Sequence, residues 1–128
     1  MIQQQRVPRV VNVKKAELKS RGYLDFKDWS DNTNHCYIGR NMTVYVPGTN
    51  KSKWCNPFPS KKYSLVECLK KYEEHITSSG LYEQLDELSK YKEIGCWCQD
   101  KRDEREVGEY CHGHVLVRML KEKQGRLN

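Results

Sequence analysis

No run of the 128-residue chain is apolar for long enough to serve as a membrane-spanning helix, which takes about 20 residues. A helical membrane anchor is therefore not expected. The first residues, Met1-Ile2-Gln3-Gln4-Gln5-Arg6, lack the apolar centre of a secretory signal. Together these absences predict an intracellular protein, cytoplasmic or nuclear by diffusion, with no membrane partner. No internal repeat and no linker of biased composition is present. One domain is expected: an arm over 1–7, an α/β domain over 8–124 and a short tail over 125–128. A basic stripe is missing too, because the lysines alternate with Glu67, Glu73, Glu74, Glu83 and Glu87. Proline is scarce: there are four, and three of them fall between residues 41 and 62, which marks that stretch as an irregular loop.

What is present narrows the reading further. The net charge is +6 and the pI is close to 9.0, a balance that favours anionic partners. Six cysteines without a secretion signal are expected to be thiols or metal ligands rather than disulfides. Hydrophobic residues make up only 37% of the chain, but they recur at regular intervals, so a core can form.

Val10, Val11 and Val13 form a β-branched first strand after Pro8. Lys14 to Arg21 reads as a polar segment, and Asp25 to Asn34 as a connection with room for one helical turn. Cys36-Tyr37-Ile38-Gly39-Arg40 is the second strand. Ser64-Leu65-Val66-Glu67 is a capping box, and Leu65, Cys68, Leu69, Tyr72 and Ile76 make one face of the helix it opens. Gly80 stops that helix. Leu81, Leu85 and Leu88 mark a shorter second helix. The third strand, over about 92–98, is Glu93-Ile94-Gly95-Cys96-Trp97-Cys98, with Ile94 and Cys96 at the centre of the sheet. A last helix runs from His112 to about Lys123 and ends at Gly125. Strands joined through helices favour parallel pairing. The predicted fold is a small single-domain layered α/β fold with a short, mainly parallel sheet flanked by helices.

Four pieces carry a resemblance: Tyr37-Ile38-Gly39-Arg40, Lys53-Trp54-Cys55-Asn56-Pro57-Phe58, Gly95-Cys96-Trp97-Cys98 and Cys111-His112-Gly113. In this order the chain resembles the family called domain of unknown function 4326, found in phages, large DNA viruses and scattered cellular genomes. The resemblance spans roughly residues 10 to 122. It implies that these positions define a shared pattern, and it brings no activity or catalytic residue with it. By the same resemblance, glycine is usual where Cys55 stands, an acidic residue is usual where His114 stands, and the loop from Gln99 to Tyr110 is longer than usual.

Three chemistries compete for the junction of the third strand and the last helix. Cys98, Cys111, His112 and His114 are zinc-type ligands, so zinc is the cofactor to weigh here. Against it, residues two apart on a strand stand about 6–7 Å apart. Two thiolates on one zinc must lie within about 5 Å. Cys96 and Cys98 are therefore poor partners, and less than one zinc per chain is expected. Anion binding is the leading reading. Arg40 follows Gly39 at a strand end, Gly113 lets a ligand approach the backbone, and Trp54, Phe58 or Tyr37 can stack on a base. The ligand-binding set is then Tyr37, Gly39, Arg40, Lys53, Trp54, Asn56, Phe58, Trp97, Cys98, Cys111, His112 and Gly113. A thiol nucleophile at Cys111 assisted by His114 is the third. The expected function is binding, with or without processing, of a nucleotide-like or phosphorylated small molecule. The alternatives are a non-enzymatic nucleic-acid module using Lys51, Lys53, Lys61 and Lys62 with Trp54, and a zinc-stabilised interaction domain.

Overall fold

The computed structural model describes residues 7–58, 61–97 and 111–126. Three parallel strands form the sheet: β1 (Arg9–Asn12), β2 (His35–Tyr37) and β3 (Glu93–Cys96), in the order β1-β3-β2. β3 is central. Val10 is opposite Ile94, Asn12 is opposite Cys96, and Cys36 is opposite Ile94 on the other side. Helices α1 (Lys15–Ser20) and α2 (Phe26–Ser30) connect β1 to β2. Helix α3 (Leu65–Ser78) and a 3-10 helix (Leu81–Lys90) connect β2 to β3, and α4 (His112–Arg126) follows β3.

Alternation along the strands divides the core in two. Ile38, Ile94 and Cys96 face α3, the 3-10 helix and α4, where they meet Tyr72, Ile76, Leu85, Leu88, Val115, Leu116 and Leu120. On the other face Val11 and Val13 pack with Leu18, Phe26 and Trp29. The result is a three-layer α/β fold, helices on both faces of a parallel sheet, as buried parallel strands require. Ile94 and Cys96 lie at its centre, 0% and 2% exposed.

Three local expectations are corrected. Lys14 to Arg21 contains a helix whose one buried apolar contact, Leu18, is too sparse to register as a periodic face. Trp29 is not in a connection but is the fully buried anchor of α2, which Asp25 caps by accepting the Asp28 N–H at 2.9 Å. Gly125 does not end the last helix. Its φ is not positive and the helix continues to Arg126. Gly80, by contrast, takes φ +85° and does stop α3. The leucine-spaced segment after it is helical but wound as 3-10.

Candidate functional site

All three strands run the same way, so their carboxyl ends share one edge, the edge where open parallel sheets take ligands. Two groups of side chains gather there, one on each face of the sheet.

On the α1–α2 face lies a cleft of about 650 Å³, within the usual range for small-molecule sites. The segment after β1 supplies Val13, Lys14 and Lys15. The segment after β2 supplies Arg40, Met42, Tyr45 and Val46. Trp97 follows β3, and Phe26 and Asp25 come from the start of α2. Three cations therefore face one carboxylate, and that carboxylate already caps α2. Among the described residues Lys14, Lys15 and Arg40 have no ion-pair partner; Arg40 Nε donates only to Met42 Sδ at 3.3 Å.

The Tyr37-Ile38-Gly39-Arg40 motif has a mechanical role here. The Tyr37 ring folds back over Gly39, where any side chain would collide with it. Its hydroxyl donates to the Arg40 carbonyl at 2.5 Å and accepts the Trp97 indole N–H at 2.6 Å. One phenol thus pins both the arginine and the indole of the cleft. Burial pushes the Tyr37 hydroxyl above its ordinary range, although the Trp97 bond and the Arg40 charge act the other way. It therefore keeps the proton it donates.

On the opposite face, Cys96 ends β3 and meets Cys111 and His112 at the start of α4. Their sulfur and nitrogen atoms all lie within 4.8 Å of one another, and all three residues are buried. Sγ of Cys96 is 2.8 Å from Sγ of Cys111, and the two are not joined in a disulfide. His112 Nε2 lies 2.8 Å from the Ile38 carbonyl, which can only accept, so Nε2 carries the hydrogen. Nδ1 is then a bare lone pair, 4.0 Å from Cys111 Sγ. Tyr72 packs edge-on against the His112 ring and donates its hydroxyl to the Trp54 carbonyl at 2.6 Å. Burial, with Cys111, Cys55 and Cys96 nearby, holds that hydroxyl well above its ordinary range.

The residues expected to bind ligand are thus divided. Arg40 and Trp97 share the cleft, with Tyr37 and Gly39 behind them. Cys111, His112 and Gly113 lie across the sheet from it; Gly113 lets α4 close onto Val10 and Ile38. Trp54 is 2% exposed and belongs to the core. Lys53 pairs with Glu87 at 2.6 Å and lies over the Trp54 ring. Asn56 shapes a turn by accepting the Phe58 N–H at 2.9 Å, and Phe58 packs on Tyr63 and His75. His114 sits a helical step beyond the thiol cluster, its N–H on the Cys111 carbonyl. Cys98, the charged loop 99–110, residues 1–6 of the arm and 127–128 of the tail lie outside the described residues. Lys14, Lys15 and Tyr45 were not singled out by sequence. For the two lysines the usable signal was their position just past the end of β1, where α/β folds place ligand contacts, whereas Tyr45 lies farther from the end of β2.

A profile of the family described as Domain of unknown function (DUF4326) matches residues 24–122. The chain is 42% identical over 86 residues to "Uncharacterized protein R718" of Acanthamoeba polyphaga mimivirus, covering 66% of this chain and 65% of that protein. The chain thus spans just under two thirds of that relative's length. No solved structure matches. Among the described residues no helix is long and apolar enough to cross a membrane.

Proposed function

Since the chain belongs to the DUF4326 family, whose description assigns no activity, we propose a function from the cleft itself: the domain binds an anionic small molecule with a planar group, a nucleotide or similar phosphorylated compound. The observation that carries this reading is the convergence of Lys14, Lys15 and Arg40, without ion-pair partners among the described residues, on a cleft walled by Phe26, Tyr45 and Trp97. An anion entering it meets three cations, and Arg40 can offer a two-pronged hydrogen bond to phosphate or carboxylate. The rings offer flat apolar surface to a base. A nucleic-acid platform is less well supported, because Trp54 is buried and the charge of Lys53 is already paired.

A thermal-shift screen of nucleoside mono-, di- and triphosphates and sugar phosphates tests the proposal. At least one anionic compound is expected to stabilise the wild type. For that compound Arg40→Ala is expected to lower affinity about tenfold to a hundredfold, the loss of one charge-assisted bond. Arg40→Lys is expected to restore part of it, because the charge returns without the planar fork. Folding stability of Arg40→Ala should stay within about 0.5 kcal/mol of wild type, as for an exposed residue. If no anionic compound stabilises the protein, or if Arg40→Ala unfolds it, the reading fails.

A further inference from the structure

We infer that Cys96, Cys111 and His112 form a binding site for a thiophilic divalent metal, zinc being the natural occupant. The site is separate from the cleft and stands or falls independently of it.

Three observations carry the inference. First, the donor set is right for a soft or borderline ion: two sulfurs and one imidazole nitrogen, mutually within 4.8 Å. Second, the imidazole is already set in the tautomer a metal needs. Its Nε2–H is given to the Ile38 carbonyl at 2.8 Å, which leaves Nδ1 bare toward the sulfurs. Metal-ligating histidines are oriented in this way by a backbone carbonyl or carboxylate. Third, that lone pair is buried, and among the described residues its hydrogen-bond contact is the Cys111 sulfur at 4.0 Å. A metal ion would satisfy it fully.

Charge also fits. Binding Zn²⁺ displaces one proton from each thiol, so two thiolates cancel the ion's charge and the imidazole stays neutral. A neutral centre is what a buried site tolerates. Zinc at about 2.3 Å from each sulfur and about 2.0 Å from nitrogen puts the sulfurs about 3.8 Å apart and each about 3.5 Å from the nitrogen. The Cys111–His112 separation of 4.0 Å needs little adjustment. The 2.8 Å between the sulfurs must open by about 1 Å, which a modest χ1 rotation of either cysteine supplies. A Cys96–Cys111 disulfide would need the sulfurs to move inward instead, and would leave the His112 lone pair unused. The strand-spacing objection to zinc does not apply, because Cys96 is matched with Cys111 across the β3–α4 junction and not with its near neighbour on the strand.

The test uses the full chain, reduced and stripped with chelator, then titrated with Zn²⁺ or Co²⁺ alone. We expect uptake of one ion per chain with release of protons. Co²⁺ should give thiolate charge-transfer absorption and the visible bands of a tetrahedral site. Zn²⁺ should protect Cys96 and Cys111 from alkylation, read by peptide mass mapping, and leave Cys36 equally reactive with and without metal. His112→Gln should weaken Zn²⁺ binding by more than about tenfold. The double variant Cys96→Ser/Cys111→Ser should lose the cobalt signature. Absence of stoichiometric uptake by the folded wild type overturns the inference, as does cobalt absorption that survives the double variant. A Cys96–Cys111 disulfide in freshly isolated protein, with no uptake after reduction, would overturn it in favour of a redox pair. Should the double variant fail to fold, the cobalt and alkylation results on the wild type decide alone.

Discussion

Glu93 ties the amino end of β3 to the helices of the smaller face. Its carboxylate accepts from Arg21, at the end of α1, and from the Trp29 indole N–H at 2.9 Å, with His35 Nε2 at 3.5 Å. Burial alone would raise its pKa, but the hydrogen bonds from Arg21 and Trp29 and the Arg21 charge outweigh it and hold the carboxyl below its ordinary 4.5. A carboxylate whose folded pKa is depressed adds stability above the unfolded value and loses it as pH falls through the folded one. Glu93→Gln is therefore expected to cost about 1–2 kcal/mol at pH 7, discounted for the partial exposure of Arg21. The deficit should shrink steadily as the pH drops below 4.5. Urea unfolding of both proteins across that range measures it, and a deficit that does not change with pH counts against the ion-pair account. None of this was legible in sequence. The partners lie 72 and 64 residues from Glu93, and no local spacing links them. Trp29 was unreadable for a related reason, since a five-residue helix is too short to show a period.

Longer elements were legible because their signals are local. The capping box at Ser64 closes as its spacing predicts: Glu67 N–H donates to Ser64 Oγ at 3.2 Å and Ser64 N–H to Glu67 Oε1 at 3.3 Å. The three strands were legible as β-branched or apolar runs, although β2 is His35–Tyr37 and stops before the expected Ile38-Gly39-Arg40, and their parallel pairing as a consequence of helical connections. Two element-level facts were not. One is the 3-10 winding of Leu81–Lys90, since leucines three and four apart suit either helix. The other is why Gly95 sits in the central strand. A Cβ at Gly95 would run into Val13 and approach Trp29 Cη2 within 2.6 Å. The glycine leaves room for the edge of the indole against β3, so the demand is steric. Gly95→Ala must push Trp29 or β1 aside, and overpacking of this kind costs about 1–3 kcal/mol. Denaturant unfolding is the measurement, and near-UV circular dichroism should show a changed Trp environment. A variant as stable as wild type would mean that Trp29 is not packed against Gly95.

At the scale of the whole molecule the two faces of the sheet are unequal. Among the described residues the α3–α4 face carries thirteen buried residues in its cluster, and the α1–α2 face carries five. α1 and α2 are six and five residues long, below the length at which a helix holds by itself. The cleft is built on this thinner face, which explains why the candidate site was only partly legible. Arg40 and Trp97 could be found as motif residues at strand ends, but Lys14, Lys15 and Tyr45 enter through short segments whose placement depends on tertiary packing. Regions with fewer buried apolar contacts open at lower free energy than the rest. Amide exchange in α1 and α2 is therefore expected to exceed that in α3 and α4 by at least about tenfold, a difference of about 1.4 kcal/mol in opening. On the proposed reading, a ligand of the cleft would bind this face only when it is folded and would stabilise it by mass action. Protection on adding the anionic compound found by screening should thus concentrate in residues 13–29 and 40–48, with α3 unchanged. Hydrogen exchange read by mass spectrometry resolves these segments. Uniform exchange across both faces would remove the case for a thin, mobile ligand face, and protection centred on α3 and the start of α4 would move the ligand to the other side of the sheet.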